Sequence, residues 1–501
     1  MTLAPLTVVE KATGHVLAEL PCTTRDEVQS AVRKARTSRW STSSVEFRLE
    51  RLRALRRALA ANAPALAELL SRENGKPRHE ALLHEVVPLL DFLDWLTPTT
   101  LDVSRVVDLP SRWLPHRAFS VTRRPYRTCA VLSPFNFPLL ISGNDALSAL
   151  AMGSSVLLKP SEHCPLSAKR LVYLAHEAGI PEDALELVIG GREVGEALVQ
   201  SDVDSVMFTG AASNGRGVAI ECARRLRPYT LELGGNCPLL VLDDADISRT
   251  AKAICYGAMA NSGQSCLAVG RVYVPRALEG ALVDALRSEL TALRQGDPMQ
   301  GPVELGSLTT RAQLERCEQH VSDARSRGAR VILGGERRAE PGNFFAPTLL
   351  QGCGPNDVVV QEETFGPVLP LVPYDDERAV TEQLNGDRAG LAAYVFGGDV
   401  ERARAVAQGL DYGHVVVDHV LLTYVCPDVP LSGLRESGQG IVHGAEGLLA
   451  RTSPKVLATP RARLPATVEF GLMEPERAEG VAQTLLRTSH IVGKLRRFWR
   501  A

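Results

Sequence analysis

Cys129-Ala130-Val131-Leu132-Ser133-Pro134-Phe135-Asn136 is the stretch from which the fold reads outward. Its first four residues form a short apolar run, the pattern of a buried strand, and Ser133-Pro134 ends it. The same punctuation recurs downstream. Ser155-Val156-Leu157-Leu158-Lys159, Leu185-Glu186-Leu187-Val188-Ile189, Ser205-Val206-Met207-Phe208 and a run near 229–233 each read as a strand. Helical periodicity separates them, as over residues 167–178 and 214–225. Strands and helices alternating at this rhythm build a parallel sheet from βαβ units, so the fold class is α/β.

Upstream, Val32, Leu49, Leu52, Leu55, Leu59 and Leu66 recur at helical spacing across residues 25–73, which predicts two or three amphipathic helices. Asn74-Gly75-Lys76-Pro77 breaks the last of them, and another helical stretch runs to about Leu96. Downstream, a helix at 247–262, a strand at Arg271-Val272-Tyr273-Val274 and a helix at 278–294 begin the alternation again, and it continues to about 420. This predicts a second α/β domain with residues 232–266 at the junction, and clefts between domains are where ligands bind.

A chain of 501 residues favours two or three domains. Hydrophobic residues at 45%, charged residues at 23% and a net charge of −2 are ordinary globular values and argue against a nucleic-acid partner or a basic membrane-binding surface. Ten scattered cysteines with no CxxC pair and no zinc-ligand spacing predict no metal site and suit a reducing compartment. Met1-Thr2-Leu3-Ala4-Pro5 lacks the basic and apolar regions of a signal peptide, and no apolar run spans a bilayer as a helix. The expectation is a cytoplasmic enzyme.

Loops after strands in a parallel sheet are where ligands bind. In Ser133-Pro134-Phe135-Asn136-Phe137-Pro138 an Asn amide could donate to a developing oxyanion, and a turn-capping Asn is the bland reading. In Lys159-Pro160-Ser161-Glu162 both charged residues could bond sugar hydroxyls, or form a solvated pair. Phe208-Thr209-Gly210-Ala211-Ala212-Ser213-Asn214-Gly215 joins a strand to a helix and could meet a phosphate at the helix N-terminus. Glu362-Glu363-Thr364-Phe365-Gly366-Pro367 sets a carboxylate two residues before an aromatic ring, suited to a ribose and a flat ring together, or to a plain acidic turn. Residues 430–440, Pro430-Leu431-Ser432-Gly433-Leu434-Arg435-Glu436-Ser437-Gly438-Gln439-Gly440, form a long glycine-rich loop that adds weight to these segments, with a mobile surface loop as the bland reading.

Cys266, in Asn261-Ser262-Gly263-Gln264-Ser265-Cys266, has small polar neighbours that suit an accessible nucleophile, whereas the other nine cysteines are expected to be packing residues. Glu232, in Glu232-Leu233-Gly234-Gly235-Asn236, could deprotonate water after covalent catalysis by the thiol.

Together, and in this order, these segments resemble the NAD(P)-dependent aldehyde dehydrogenase superfamily over residues 8–459. The resemblance implies a Rossmann-like cofactor domain (1–106 and 126–234), an α/β catalytic domain (235–449) and a small β oligomerisation arm (107–125 and 450–459). It implies that Cys266 forms a thiohemiacetal and then a thioester, that Asn136 and the Cys266 N–H bind the oxyanion, and that Glu232 activates water to release a carboxylic acid. Ser133 and Phe135 would belong to the cofactor site. Lys159 and Glu162 would hold the adenosine ribose, Gly210, Ala211 and Gly215 the pyrophosphate, and Glu363 and Phe365 the nicotinamide side. The cofactor would be NAD, with NADP as the alternative, the substrate a small-molecule aldehyde, and the assembly a homodimer or homotetramer. An acylating, coenzyme A-dependent relative is argued against by Glu232, and a catalytically silent paralogue by the intact Cys266, Glu232 and Asn136.

The chain departs from the usual pattern at several places. Ala211 replaces a Ser and Asp418 an Asn. Asn144-Asp145 stands where many relatives carry an aromatic residue and a Lys, which predicts a less bulky, more acidic substrate entrance. Leu267, His419, Leu421, Leu422 and Tyr424 suggest a medium or large apolar aldehyde. Residues 460–501 extend past the usual end. Val481, Leu485, Val492, Leu495 and Trp499 share one arc of an ideal helix, with Arg487, Lys494, Arg496, Arg497 and Arg500 mostly elsewhere. Such a helix could rest on an anionic membrane, although packing on the enzyme body or a subunit neighbour is the preferred reading.

Overall fold

A computed structural model describes residues 4–111, 114, 116–338, 341–465, 474–476 and 478–484. They fall into two compact units, one running up to Ser104 and over Pro125–Ser453, the other comprising Arg105–Arg124 and the residues from Pro454.

In the larger unit the strands Thr128–Leu132, Ser155–Lys159, Leu185–Leu187, Ser205–Gly210 and Tyr229–Leu233 form a parallel sheet. Their spatial order is third, second, first, fourth, fifth, with the short strand Gly438–Gln439 antiparallel on the fifth. The order reverses between the first and fourth strands, where Leu132 lies beside both Lys159 and Phe208. In such a sheet the crevice at the carboxyl ends of the strands on either side of the reversal takes the ligand. The loops beginning at Ser133 and Gly210 open there. The first two strands are buried along their whole length, which is why they read as unbroken apolar runs. The third stops at Leu187 rather than Ile189, because Ile189 exchanges backbone hydrogen bonds with the Thr23 hydroxyl and N–H.

The first three helices of the chain, Arg25–Thr37, Val45–Ala61 and Ala63–Asn74, lie ahead of this sheet. Thr24 and Glu27 close a capping box on the first. Gly75, at φ +97°, ends the third in the left-handed conformation. The chain then runs through a short helix, Arg78–Ala81, a π-helical turn, Leu82–Val86, and a helix that reaches Val103, beyond the expected Leu96.

A second sheet has seven strands in the order Arg330–Leu333, Thr348–Gln351, Val368–Tyr374, Val269–Pro275, Cys237–Val241, Ala392–Phe396, His414–Val417. All neighbours are parallel except the first pair. Only Gly234-Gly235-Asn236 separates Leu233, the last residue of the first sheet's fifth strand, from Cys237. The carboxyl end of one sheet therefore faces the amino end of the other. The helix expected over 247–262 stops at Met259, because Asn261 and Ser262 adopt φ of +52° and +53°.

The smaller unit contains strands of a three-stranded sheet ordered Thr452–Pro460, Arg117–Pro125, Val107–Leu109. Residues 478–484 are helical, with Val481 exposed. The remainder of the expected amphipathic tail, residues 485–501, lies outside the described residues. No helix among the described residues is long and apolar enough to cross a membrane.

Candidate active site

Glu232 lies on the fifth strand of the first sheet, paired with Thr209 on one side and Gly438 on the other. The stretch 430–440 is thus no mobile surface loop. Its strand Gly438–Gln439 pairs with the edge strand that carries Glu232, and its strand Leu434–Arg435 pairs with Ala389–Gly390. Gly438 has φ +143°, and a side chain there would overlap the Leu231 carbonyl oxygen. The following link is equally tight. A Cβ on Gly235 would overlap the Cys266 carbonyl oxygen, and one on Gly234 the Glu363 carboxylate. The bare link therefore lets three chain segments converge at one point.

Cys266 is presented by a strained turn. Asn261, Ser262 and Gly263 occupy the left-handed region in succession, at φ +52°, +53° and +74°. Two consecutive non-glycine residues in that region persist only where the surroundings hold them. Here Glu80 accepts the Asn261 N–H through both oxygens, at 3.1 and 3.0 Å, and Ser262 Oγ donates to the Gly306 carbonyl at 3.0 Å. Cys266 is partly exposed, and the buried Cys237 thiol donates to its carbonyl at 3.2 Å. The expectation that the other nine cysteines are packing residues holds for seven; Cys22 and Cys426 are partly exposed as well.

Burial pushes the Cys266 thiol well up, and Glu363, Cys237 and Glu232 add to the effect. The Glu232 carboxyl is also held well above its ordinary range, first by burial and then by the negative charge of Asp145, with Arg451 opposing. Glu232 Oε1 is buried without a hydrogen-bond partner among the described residues. Burial lifts Glu363 to about 7, although the Gly235 N–H donates to its Oε1 at 3.3 Å.

Asn136 is buried, and its side-chain amide donates to the Gln264 carbonyl at 3.1 Å, two residues from Cys266. At the other end of the crevice, Ser133 and Ser142 hydroxyls share a hydrogen bond of 2.6 Å. The Phe135 ring meets the Phe365 ring edge-on at 5.8 Å, and Phe365 sits at φ +55°. Lys159 Nζ pairs with Glu162 at 3.4 Å at the end of the second strand. The helix Ala212–Arg224 begins after Ala211, which supplies no side-chain cap. The helix follows directly on the strand Ser205–Gly210, whose carboxyl end lies at the switch point. An uncapped N-terminus beside a strand-end carboxylate is a set that fits a dinucleotide, phosphate at the helix and ribose at Glu162. Gly215 lies inside that helix, where a Cβ would come within 2.6 Å of a Leu233 methyl carbon.

Asn144 and Asp145, expected at the substrate entrance, line a small cavity with Phe92, Trp95 and His443. Both are buried in the helix Leu140–Met152. Asn144 Nδ2 lies 3.1 Å from His443 Nε2, and the Tyr424 ring packs against the His443 ring at 5.0 Å. Asp145 is lifted to about 7 by burial, with Arg451 opposing. Sequence reasoning missed His443 and Arg451, and also Lys76, Glu80 and Glu85, which read only as parts of helices and their stops.

A doubly wound sheet whose crevice fits a dinucleotide, facing a thiol and a carboxyl group at the edge of a second sheet, defines a class of cofactor-dependent oxidoreductase. Residues 2–457 match the model of the aldehyde dehydrogenase family, and the chain belongs to that family. It is an NAD(P)-dependent enzyme that oxidises an aldehyde to a carboxylic acid. The chain is 34% identical over 468 residues to 4,4'-diapolycopene aldehyde oxidase of a Methylomonas species, spanning 92% of this chain and 87% of that one. It is 33% identical over 438 residues to the mitochondrial succinate-semialdehyde dehydrogenase of Oryza sativa subsp. japonica, spanning 86% and 82%. Among solved structures, the NAD+ complex of an aldehyde dehydrogenase from Bacillus cereus superposes with a TM-score of 0.87 at 30% identity, over 91% of this chain and 93% of that one. An NADP-dependent enzyme from E. coli gives 0.88 at 30%, over 91% and 95%.

Proposed function

We propose that Cys266 is the nucleophile, Glu232 the base and Asn136 the oxyanion donor of this dehydrogenase. The observation that carries the reading is the convergence of the Cys266 backbone and the Glu232 strand on the Gly234-Gly235 link, with thiol and carboxyl within electrostatic reach. The thiol gives its proton to solvent water, the sulfur attacks the aldehyde carbon, and the carbonyl π electrons move to oxygen. The oxyanion is met by the Asn136 amide and the Cys266 N–H. Bound NAD(P)+ supplies the hydride acceptor that leaves a thioester on Cys266. Glu232 then takes a proton from water as the oxygen adds to the thioester carbon. The C–S bond breaks, the acid departs, and the sulfur recovers a proton.

Lys159 and Glu162 hold the adenosine ribose. The turn with Gly210, Ala211 and Gly215 meets the pyrophosphate, and Glu363 takes the nicotinamide ribose. Phe365 lies against the nicotinamide, and Ser133 and Phe135 line the same crevice. Residues 1–106 and 126–234 serve the cofactor, 235–449 the chemistry, and 107–125 with 450–459 the assembly of a homodimer or homotetramer. A preference for NAD follows from Glu162, which accepts a bond from a free 2′-hydroxyl and repels a 2′-phosphate. Ten cysteines without a disulfide support a cytoplasmic location. Leu267, Leu421, Tyr424 and the rings of Phe92 and Trp95 support a medium or large apolar aldehyde. The relatives named for a diapolycopene aldehyde and for a semialdehyde stand at nearly equal identity, 34% and 33%, so their names do not decide the substrate.

The covalent mechanism is tested by intact mass spectrometry of the Glu232→Gln protein with NAD+ and an apolar aldehyde. The expected result is an acyl group on Cys266, absent in Cys266→Ala. No adduct, with turnover unimpaired in Cys266→Ala, would sink the assignment. Rates with aliphatic, aromatic and charged aldehydes, each with NAD+ and NADP+, check the two preferences. A charged short aldehyde as best substrate would overturn the apolar reading.

A further inference from the structure

The segment after the third helix carries charges that have no place in the reaction, yet they are sealed inside the protein. Lys76 is 1% exposed and Glu85 0% exposed. Lys76 Nζ pairs with Glu85 Oε1 at 2.6 Å and donates to the Asn136 carbonyl oxygen at 2.8 Å. It also stands 4.2 Å from the centre of the Phe137 ring, one residue further on. The other Glu85 oxygen accepts the N–H groups of Leu139, at 2.8 Å, and Leu140, at 3.2 Å. These open the helix Leu140–Met152, which has no side-chain cap of its own. Glu85 therefore caps that helix from outside, favourably placed against its positive end. It reaches this position from the π-helical turn Leu82–Val86, an arrangement that re-aims a side chain out of normal helical register.

Glu80, on the short helix just before, holds the Asn261 N–H of the Cys266 turn. The Asn261 amide returns to the Asn136 carbonyl at 2.9 Å and to the Gln264 carbonyl at 3.1 Å. The Gln264 carbonyl in turn receives the Asn136 side-chain amide. The ring is closed: Lys76, Asn136, Asn261, Glu80 and the backbone through Pro77-Arg78-His79 back to Lys76. Both lone pairs of the Asn136 carbonyl are engaged, one by an ammonium group and one by an amide, so the peptide plane cannot rotate without breaking a buried bond. Asn74 adds a further tie, donating to the Phe135 carbonyl at 2.8 Å. Burying an ion pair is costly, and apolar residues of the same volume would serve the fold as well. Placing charges here is explained by the need to fix one loop from each sheet against the other.

We infer that Lys76 and Glu80 are positioning residues that set the Asn136 amide against the Cys266 turn, so that hydride transfer from the thiohemiacetal depends on a buried bracket that touches neither substrate nor cofactor. The inference rests on the assignment of Asn136 as the oxyanion donor. A misplacement near 1 Å at a reacting centre lowers a rate by on the order of 100-fold.

The test is single-turnover formation of NADH by the full chain, with NAD+ affinity measured in parallel by fluorescence. Lys76→Met lowers the single-turnover rate by about 100-fold while NAD+ affinity moves by less than about twofold. Lys76→Gln, which keeps an N–H to donate, recovers part of the loss. In an Asn136→Ala background, Lys76→Met has little further effect, since both changes remove the same contribution. A full additional loss in that background, or an unchanged rate in folded Lys76→Met, overturns the bracket. An Asn136→Ala protein with an unchanged rate overturns the oxyanion assignment instead. If Lys76→Met does not fold, Glu80→Gln, which weakens the hold on Asn261 and leaves the Lys76–Glu85 pair in place, takes its position in the same cycle with the same expected and overturning results.

Discussion

In the proposed mechanism Glu232 is the residue on which the chemistry turns, and its surroundings set when it can act. A carboxyl group serves as base only when ionised, and burial with Asp145 nearby holds its pKa well above the usual range. Turnover with saturating aldehyde is therefore expected to rise with pH into the alkaline range. Asp145→Asn removes a negative neighbour, lowers the Glu232 pKa and moves the rising limb to lower pH, whereas Arg451→Met moves it to higher pH. Profiles of kcat against pH for the three proteins check the signs, and coincident profiles would show that Asp145 does not act on Glu232. Glu232→Gln keeps a first turnover of NADH and loses continued turnover by about 100-fold or more, as removal of a positioned base does. Gly235→Ala is expected to lower activity with every aldehyde, because the added methyl overlaps the Cys266 carbonyl. At this scale much was legible in advance: Cys266, Glu232, Asn136 and Glu363 stand out by the company they keep in sequence. Asp145 stood out too, but as a change to a substrate entrance. Its burial beside Arg451, and so its effect on Glu232, is written nowhere in the local pattern.

Elements position these groups by close approach. The short strand Gly438–Gln439 lies directly on the Glu232 strand, and the φ of +143° at Gly438 with the Leu231 carbonyl against it leaves no room for a side chain. Gly438→Ala is expected to destabilise the protein by about 2–4 kcal/mol, combining backbone strain with loss of ladder bonds. Calorimetry would show the shift, with activity falling alongside because Glu232 moves. The strands and helices themselves were readable from periodicity, because each is a local pattern of burial. Where expectation and structure part, a distant contact intervened: Thr23 takes the backbone that would have extended the third strand to Ile189, and Glu80 takes the N–H that would have carried the helix past Met259. The π-helical turn at Leu82–Val86 had no signal in sequence, since its purpose is to aim Glu85 at groups that follow some fifty residues later.

At the scale of the whole molecule, the strand Thr452–Pro460 borders its sheet on one side only and carries exposed Val456 and Leu457. An edge strand with apolar residues facing outward invites pairing with another chain. Leu457→Pro is expected to convert a dimer or tetramer into smaller species, which sedimentation velocity would resolve, and a monomeric parent protein would overturn the assembly proposal. The sequence by itself determined the α/β class, the two runs of alternation, the order of the glycine-bearing turns and the residues proposed for the reaction. All of these are short-range: they follow from which residues prefer strands, which turns need glycine and which side chains can carry the chemistry. Only the tertiary structure decided which charges are sealed around the reacting groups. Lys76 with Glu85, and Asp145 with Arg451, are brought together across long stretches of chain. The energy of a buried charge depends on what surrounds it in space, a quantity that no window of sequence contains.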